Sequence, residues 1–343
     1  MRRLQSRILV LVLGFSAPAL ADEESTPVEA SAEPNAVTTE PAAGPVQPFI
    51  PPGVDYPGIV DLGPRMSLYI DHTYEYANDL STFWWVQGRG NNYRVALGGL
   101  YAFGSLRVHA EVPLQYTQLA IDSLMGNAPT DADRIKAALS LGDVITDAAY
   151  YSDLPSDAMP THVGLGLRVR WPTHTTRYQF GLVNGGTIEF GFPYYLHLSP
   201  AAILSTSYGP VFLVVNQGVL AMLAKDIDLG GVLAKIPNMY FWESHVTAGL
   251  AATNWLAFTL EVLSVVQLNR VEMTNAMAPP GPDQTRVFTT RAVFFNPGAT
   301  LDLGRYRLAL AARLGLPGNS TRDFGVFTFS GTHAFLARLS YLF

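Results

Sequence analysis

Apolar and polar residues alternate along most of the chain after its first 64 positions. In 106–116, every second residue from Leu106 to Tyr116 is apolar, and the residues between them are polar or charged apart from one proline. A period of two predicts a β-strand with one apolar face. Similar segments recur between turn residues and predict about twelve strands, with ten or fourteen as alternatives. The predicted strands are 66–72, 93–103, 106–116, 141–151, 162–172, 186–208, 211–222, 241–252, 256–268, 287–301, 305–316 and 333–343.

The apolar residues are spread over these short segments and are not gathered into membrane helices. They make up 48% of the 343 residues. The longest uninterrupted run, 8–15, falls far short of the roughly 20 residues that a spanning helix needs. Because hydrocarbon offers the backbone no hydrogen bonds, only helices and closed barrels cross a membrane. The pattern therefore predicts an all-β fold, a single antiparallel transmembrane β-barrel over 65–343.

Turn lengths support this prediction independently. An even number of strands places both ends of the barrel sheet on one side of the membrane, where bacterial barrels have short turns. The connections after even-numbered strands are short: 104–105, 209–210, 253–255 and 303–304. The others are long: 77–91, 118–139, 173–185, 223–239, 269–286 and 317–331. The turn 152–160 is the exception.

Two stretches depart from the simple pattern. Thr130 and the acids after it have the composition of a helix N-terminus, so a short capped helix is predicted from there through 134–139 inside the long loop. Pro193 and Pro200 fall within 186–208, and proline donates no ladder hydrogen bond. That segment is therefore predicted to be one interrupted strand.

The C-terminal strand ends on an aromatic residue. Counting back from Phe343, every second residue is apolar. This arrangement resembles the C-terminal signal of bacterial outer-membrane β-barrels. The resemblance implies contact with outer-membrane lipid and recognition of this strand by the barrel-assembly machinery. The residues of this expected assembly signal are Phe335, Leu339, Tyr341 and Phe343.

The N-terminus has the features of an exported protein. Three arginines precede a short apolar run and an Ala-x-Ala step, which predicts a signal peptide over 1–21. Residues 22–64 hold nine prolines, eight acids and no base. Such a composition cannot bury enough apolar surface to fold. We therefore expect a disordered periplasmic segment, with a partner-binding segment as the alternative.

If the apolar face meets lipid, the charged face lines the lumen. Arginine suits crowded ion pairs because its planar fork meets carboxylates bidentately. Two interpretations are open: paired charges that hold the wall together, or a mixed-charge pathway for solutes. The candidate lumen-lining residues are Arg107, Glu111, Asp143, Asp147, Arg168, Arg170, Glu243, Glu261, Arg291, Arg305, Arg307, Arg313 and Arg338. The same phase places Asp71, Glu75 and Arg94 inside.

Composition argues against several other classes. The chain has no cysteine, which excludes disulfides and thiolate chemistry. Its formal charge of −6 comes largely from the N-terminal acids, so nothing indicates nucleic-acid binding. We expect no cofactor and no metal, since no H-x-x-x-H spacing occurs. We also expect no enzyme, since no G-x-S-x-G occurs. The residues considered for catalysis are His72, His174 and Asp131. The run 83–85 is predicted to be an interfacial anchor, with a gate for hydrophobic ligands as the alternative.

One stretch carries a family resemblance. Residues 141–150 begin Leu-Gly-Asp and end in Tyr150, and 168–172 reads Arg-Val-Arg-Trp-Pro. These segments resemble the MetA-pathway-of-phenol-degradation family of outer-membrane proteins, over roughly 90–343, although the first glycine of its pattern is missing here. The resemblance implies a channel for hydrophobic or aromatic compounds, and it transfers no binding residue.

The expected function is passive passage of small solutes, hydrophobic or aromatic ones included, across a bacterial outer membrane. Two alternative functions are also compatible with the sequence. One is a structural or adhesive barrel that acts through its outer loops. The other is a lipid-modifying outer-membrane enzyme.

Overall fold

The computed structural model describes most of the predicted barrel. The expected signal peptide, the acidic segment 22–64 and the run 83–85 lie outside the described residues. Among the residues described, no helix is long and apolar enough to cross a membrane. The described ranges are 66–77, 86–124, 128–154, 159–174, 177–183, 185, 187–191, 196–223, 227–228, 233–234, 238–274, 285–288, 291–315 and 333–343.

Strands account for nearly all the regular structure in these ranges. A single 3-10 turn, Asp131–Asp133, is the helical exception among the described elements. The strands, in chain order, are β1 Ser67–Ala77, β2 Val86–Phe103, β3 Leu106–Leu124, β4 Ile135–Leu141, β5 Val144–Leu154, β6 Thr161–Trp171, β7 Arg177–Gly181, β8 Thr187–Gly191, β9 Leu196–Tyr208, β10 Val211–Leu223, β11 Ile227–Asp228, β12 Leu233–Ala234, β13 Met239–Ala251, β14 Leu256–Gln267, β15 Val271–Thr274, β16 Thr285–Phe288, β17 Arg291–Leu303, β18 Tyr306–Gly315 and β19 His333–Leu342.

The long strands close into one antiparallel barrel. Hydrogen bonding runs in the order β1, β2, β3, β5, β6, β9, β10, β13, β14, β17, β18 and β19, and β19 pairs again with β1. The ring has no open edge because β2 pairs with both β1 and β3. The closed twelve-strand barrel predicted from the alternation is therefore confirmed. The short pairs β7–β8, β11–β12 and β15–β16 form separate two-stranded sheets.

The alternation separates two faces along every wall strand. On β1, Tyr69 and Asp71 are buried on the inner face, whereas Leu68 and Ile70 are exposed on the outer face. Exposed aromatic side chains lie near both ends of the outer surface, as expected for rings at the two membrane interfaces. Those near the short turns include Tyr101, Phe103, Tyr208, Trp255, Tyr306 and Phe343, and those toward the other end include Tyr93, Tyr116, Trp171, Tyr240, Trp242 and Phe335.

Strands β4 and β5 are two halves of one wall strand. Both pair with β3: Leu141 lies opposite Leu114, and Ile145 lies opposite Glu111. Three residues of one strand therefore face two of the other, which is a β-bulge centred on Gly142 and Asp143. The extra residue reverses the phase, so odd-numbered residues face outward on β4 and inward on β5. The bulge directs Asp143 into the barrel.

The helix expected from Thr130 through 139 is wrong, because the chain from Ile135 onward is strand β4. Its outward residues, among them Ile135 and Leu139, are exposed, and the whole strand is hydrogen-bonded to β3. Pairing with β3 outweighs the local helix-start composition around Thr130. Only the 3-10 turn at Asp131–Asp133 remains of the predicted helix.

The stretch 186–208 is not one interrupted strand. Its first part, β8, pairs with β7 outside the barrel wall, and its second part, β9, is a full wall strand. Pro200 faces outward and is exposed, and the pairing of β9 with β10 is interrupted beside it. The proline is tolerated in the wall at the cost of that local break in the ladder.

Three of the short turns depend on glycine. Gly104, Gly209 and Gly304 have φ values of +56°, +55° and +80°. Residues that carry a side chain rarely adopt this left-handed region of backbone conformation, whereas glycine adopts it without steric cost. Each glycine closes a two-residue hairpin at the same end of the barrel, where Phe343 also lies, its backbone N–H bonding to the carbonyl of Met66.

Asp133 fastens the β7–β8 sheet to the 128–133 segment. Its Oδ2 accepts hydrogen bonds from the Thr130 hydroxyl at 2.9 Å and from the Gly181 N–H at 3.0 Å, and Lys136 bonds to Oδ1. The Thr130 N–H donates to the carbonyl of Gly181 at 2.8 Å. The bond from Lys136, followed by those from Thr130 and Gly181, lowers the pKa of Asp133 below its usual range.

This attachment is expected to weaken in acid. A carboxylate whose folded pKa is depressed stabilises the structure above its ordinary pKa and loses that contribution as the pH falls toward the folded pKa. A nitroxide on Val183→Cys, in a chain with no other cysteine, should therefore become more mobile only below about pH 4. Adding Asp133→Asn should make it mobile at neutral pH. Asp131, whose side chain is 95% exposed, supplies the control Asp131→Asn. Equal mobility in all three proteins at pH 7 would contradict the prediction.

Candidate functional site

Five arginine–carboxylate pairs line one side of the lumen, and we call them the paired arc. They lie on β18, β19, β1, β2, β3, β5 and β6 and at the bulge before β5. Because every acid in the arc faces a guanidinium, the arc holds no excess charge. The pairs are Arg338–Asp71 at 2.6 Å, Arg313–Glu75 at 3.1 Å, Arg168–Asp147 at 2.6 Å, Arg170–Asp143 at 3.0 Å, and Arg94–Glu111.

Tyr69 joins several of these pairs. Its hydroxyl donates to Glu111 at 2.6 Å and contacts a ring nitrogen of His109. The guanidinium of Arg338 lies 4.1 Å from the centre of the Tyr69 ring, a cation–π contact. On the next strand, Gly98 lies directly opposite Tyr69, and a Cβ there would come 2.2 Å from the ring. The ring occupies space that only a glycine leaves free.

His109 extends the network toward β6. Its Nδ1 lies 2.7 Å from Asp147, which also accepts two hydrogen bonds from Arg168, at 2.6 and 2.9 Å. The side chains of Asp147 and Arg168 are 0% and 9% exposed. This group is a buried and saturated charge cluster, and it belongs to the wall.

The bulge at Asp143 holds the end of β6 inside the barrel. Asp143 accepts hydrogen bonds from the backbone N–H of Thr173 at 3.1 Å and of His174 at 3.3 Å, and His174 also bonds through its ring. The Thr173 hydroxyl donates to the carbonyl of Gly142 at 2.7 Å. The segment after Trp171 therefore turns against the bulge, and Asp143 has a structural position in addition to its pairing with Arg170.

A second polar group crosses four strands on the other side of the ring, and we call it the acceptor row. It consists of Asn216 on β10, His245 on β13, Glu261 on β14 and Asn296 on β17. Asn216 lies opposite His245, and Glu261 lies opposite Asn296. The Asn296 amide donates to Glu261 at 3.2 Å, His245 Nε2 lies 3.6 Å from Glu261, and Asn216 is 3.5 Å from His245 Nδ1.

Glu243 faces inward on β13 next to this row. It accepts a hydrogen bond from the Ser199 hydroxyl of β9 at 3.1 Å. Its side chain reaches across β10 at Gly218, which lies opposite it. Within the described residues, no arginine or lysine forms an ion pair with Glu243 or Glu261, in contrast to the five acids of the paired arc.

Apolar side chains occupy the inner face of the same strands beyond the row, toward the long loops, and we call them the apolar patch. They begin four residues after Asn216, four before His245, two after Glu261 and two before Asn296. All are buried, so the barrel interior on this side is apolar toward the long loops and polar at the level of the acceptor row. The patch consists of Leu220, Met222, Phe241, Leu263, Val265 and Phe294.

Most of the residues expected in the lumen lie on the inner wall, and the other four lie at or near the ends of strands. Arg107 folds back onto the carbonyl of Gly104, and Arg307 pairs with Asp302 at 2.6 Å, so both lie at the short-turn end. Arg305 was expected inside but lies exposed within the turn that Gly304 makes, with its guanidinium 3.5 Å from the Tyr341 hydroxyl. Those on the inner wall are Glu111, Asp143, Asp147, Arg168, Arg170, Glu243, Glu261, Arg313 and Arg338.

Arg291 was also expected to face the lumen, and the structure places it on the outer phase. On β17 the even-numbered residues Ala292 and Phe294 are buried on the inner face, and Arg291 is exposed. The strand begins at Arg291, so its position at the end of the wall lets the long side chain reach the membrane interface.

The residues considered for catalysis do not come together. His72 faces outward and lines a groove of about 540 Å³ on the lipid side, beside Tyr74 and Phe335, and no serine lines this groove. His174 is buried against Asp143, and Asp131 is exposed on the 3-10 turn. In the described part of the chain, no cluster of three metal-ligating side chains is placed to hold a metal ion.

The comparisons with known proteins bear on the fold alone. No protein-family model matches the chain, so the resemblance to the MetA-pathway-of-phenol-degradation family is not confirmed. No curated protein matches it either.

Solved structures do match, and they are bacterial outer-membrane barrels. The COG4313 outer membrane channel from Pseudomonas putida F1 superposes with a TM-score of 0.55 at 8% identity, covering 85% of this chain and 99% of that one. The transport unit of the autotransporter AIDA-I from Escherichia coli gives 0.48 at 10% identity over 83% and 93%. A Pseudomonas aeruginosa FadL homologue gives 0.41 at 9% identity over 82% and 91%. The chain has the fold of a bacterial outer-membrane β-barrel.

Proposed function

We propose that the protein is a passive channel of the bacterial outer membrane for small solutes, including hydrophobic and aromatic ones, and not an enzyme. The observation that carries this proposal is the two-sided inner wall: a charged paired arc on one side of the ring and the apolar patch on the other. A solute with both polar and apolar parts finds a matching surface for each. The coarse likeness to an outer-membrane channel supports the same proposal.

The barrel has an intermediate size for this role. Eight-stranded barrels are filled by side chains, whereas 16- to 18-stranded porins enclose wide aqueous channels. We expect a barrel of twelve strands, intermediate between these sizes, to offer only a narrow path. Narrowness makes the wall chemistry decisive, because a solute that fits must pass close to the side chains of both faces.

Orientation and assembly follow from the two ends of the barrel. We propose that the short-turn end, with Gly104, Gly209 and Gly304, faces the periplasm together with the N-terminal segment, as in other bacterial barrels. Strand β19 closes the ring against β1 and presents Phe335, Leu339 and Phe343 on its outer face. We propose that the assembly machinery recognises this strand, with outer-membrane lipid as the final surroundings.

Single-channel recording in planar bilayers tests the channel. Folded protein, recognised by heat-modifiable gel migration, is expected to give discrete conductance, and benzyl alcohol is expected to interrupt the current briefly. Phe294→Ala should make these interruptions at least about threefold rarer, since roughly 1 kcal/mol of aromatic contact is lost. Phe258→Ala removes an exposed ring on the outer face and serves as the matched control. A folded barrel that carries no current would refute the proposal.

A further inference from the structure

The charges of the lumen are distributed unevenly around the ring. Seven buried acids of the described wall face inward, and five of them form the paired arc with five arginines. The remaining two, Glu243 and Glu261, lie on the neighbouring strands β13 and β14. On the described inner wall, the carboxyl groups without an arginine or lysine partner therefore lie on one side, next to the acceptor row.

The donor groups of the row are directed at acceptors within it or beside it. The Glu261 carboxylate and the Thr247 hydroxyl lie 3.6 and 3.2 Å from His245 Nε2, which favours the tautomer with its proton on Nε2. Nδ1 is then an acceptor for the amide of Asn216. The amide of Asn296 points its nitrogen at the Glu261 carboxylate, because its oxygen would be repelled there.

Four amide and carboxyl oxygens on this side have no hydrogen-bond partner. Their residues are at most 2% exposed. Amide and carboxylate oxygens accept hydrogen bonds, so a donor or a cation is what these atoms lack, and a buried acceptor without one is unfavourable. The paired arc shows no corresponding unpaired carboxylate oxygen in the described residues. The four atoms are Asn216 Oδ1, Glu243 Oε1, Glu261 Oε1 and Asn296 Oδ1.

We propose that the acceptor row makes the lumen selective for cations, and that Glu261 determines this selectivity. The inference rests on the proposed channel function. Glu261 is the one acidic residue of the row, and two of the unpaired acceptor oxygens lie on it and on Asn296 opposite. The apolar patch begins two residues beyond Glu261 on the same strand. A protonated amine with a small aromatic body meets both surfaces.

Reversal potentials in a KCl gradient across planar bilayers test the proposal. The wild-type channel is expected to prefer K⁺ over Cl⁻. Glu261→Gln should lower the K⁺/Cl⁻ permeability ratio by about three- to fivefold, the effect of one charge a few ångströms away in a water-like medium. Asn216→Asp adds a carboxylate to the row and should raise the ratio. Asp131→Asn, the same charge change on an exposed side chain, should leave it unchanged.

A second readout uses organic probes of nearly equal shape. Benzylammonium should interrupt the current more often than benzyl alcohol, and Glu261→Gln should abolish the difference. A wild-type channel that conducts without cation preference, or a Glu261→Gln effect no larger than that of Asp131→Asn, would overturn the inference and leave the channel intact. Absence of any current in folded protein would overturn the proposed function as well. Heat-modifiable migration confirms that each variant is folded.

Discussion

Replacing Asp147 by asparagine is expected to destabilise the barrel by about 3–5 kcal/mol, the usual cost of breaking a buried ion pair from one side. Asp147 accepts two hydrogen bonds from Arg168 and lies 2.7 Å from His109. Asparagine can accept with one oxygen only and carries no charge. The guanidinium of Arg168 would then stay inside the wall without the carboxylate that accepts two of its hydrogen bonds. Urea unfolding in lipid vesicles, followed by gel migration, measures the loss.

Two comparison variants separate charge from packing. Asp131→Asn changes an exposed carboxylate and should shift stability by less than about 1 kcal/mol. The double variant Asp147→Leu/Arg168→Met removes both charges, and it should recover most of the loss because no buried charge is left unpaired. If Asp147→Asn cost less than about 1 kcal/mol, the cluster would be well hydrated, and its assignment to the wall would be wrong.

The barrel could be predicted from the chain because its main determinant is local. A period of two marks each strand, and short turns alternate with long ones. The helix predicted at β4 was wrong because the local sequence does not decide the structure there. The Thr130–Asp133 segment has the composition of a helix N-terminus, whereas the strand after it is decided by pairing with β3, residues that a local window does not contain.

For most charged residues the alternation predicts whether the side chain faces inward or outward. It does not predict which residue is the partner in the ion pair. Asp71 and Arg338 are opposite each other because β1 and β19 close the ring, and no sequence window contains both. The two wrong placements have local causes. Arg305 falls in a turn that Gly304 tightens, and Arg291 lies on the outer phase at the first residue of β17.

The acceptor row was missed because its members are scattered along the chain. Asn216 and Asn296 are uncharged, so the pattern of charged residues does not reveal them. A usable signal existed: each is a polar residue at the lumen phase of a strand whose other residues are mostly apolar, β10 and β17. Such a residue is unfavourable in an apolar wall unless it has a partner, so it marks a place where strands contribute to a common polar group.

Gly98→Val is expected to destabilise the barrel by about 3 kcal/mol or more, at the upper end of what overpacking costs. A Cβ at this position would lie 2.2 Å from the Tyr69 ring, which has Arg338 on its face and Glu111 at its hydroxyl. The ring cannot move without giving up both contacts. Urea unfolding in vesicles measures the effect, and the adjacent Gly99→Val is the matched control.

The control differs from the test in facing direction alone. A Cβ at Gly99 would lie 3.0 Å from a methyl group of Leu68, the flexible end of an exposed outer side chain that can move away. Gly99→Val should therefore be neutral or stabilising, since valine suits a strand better than glycine. Combining Gly98→Val with Tyr69→Ala should recover part of the loss, because the space of the missing ring accepts the new side chain. Purely additive losses in that pair would show that the ring is not what requires the glycine.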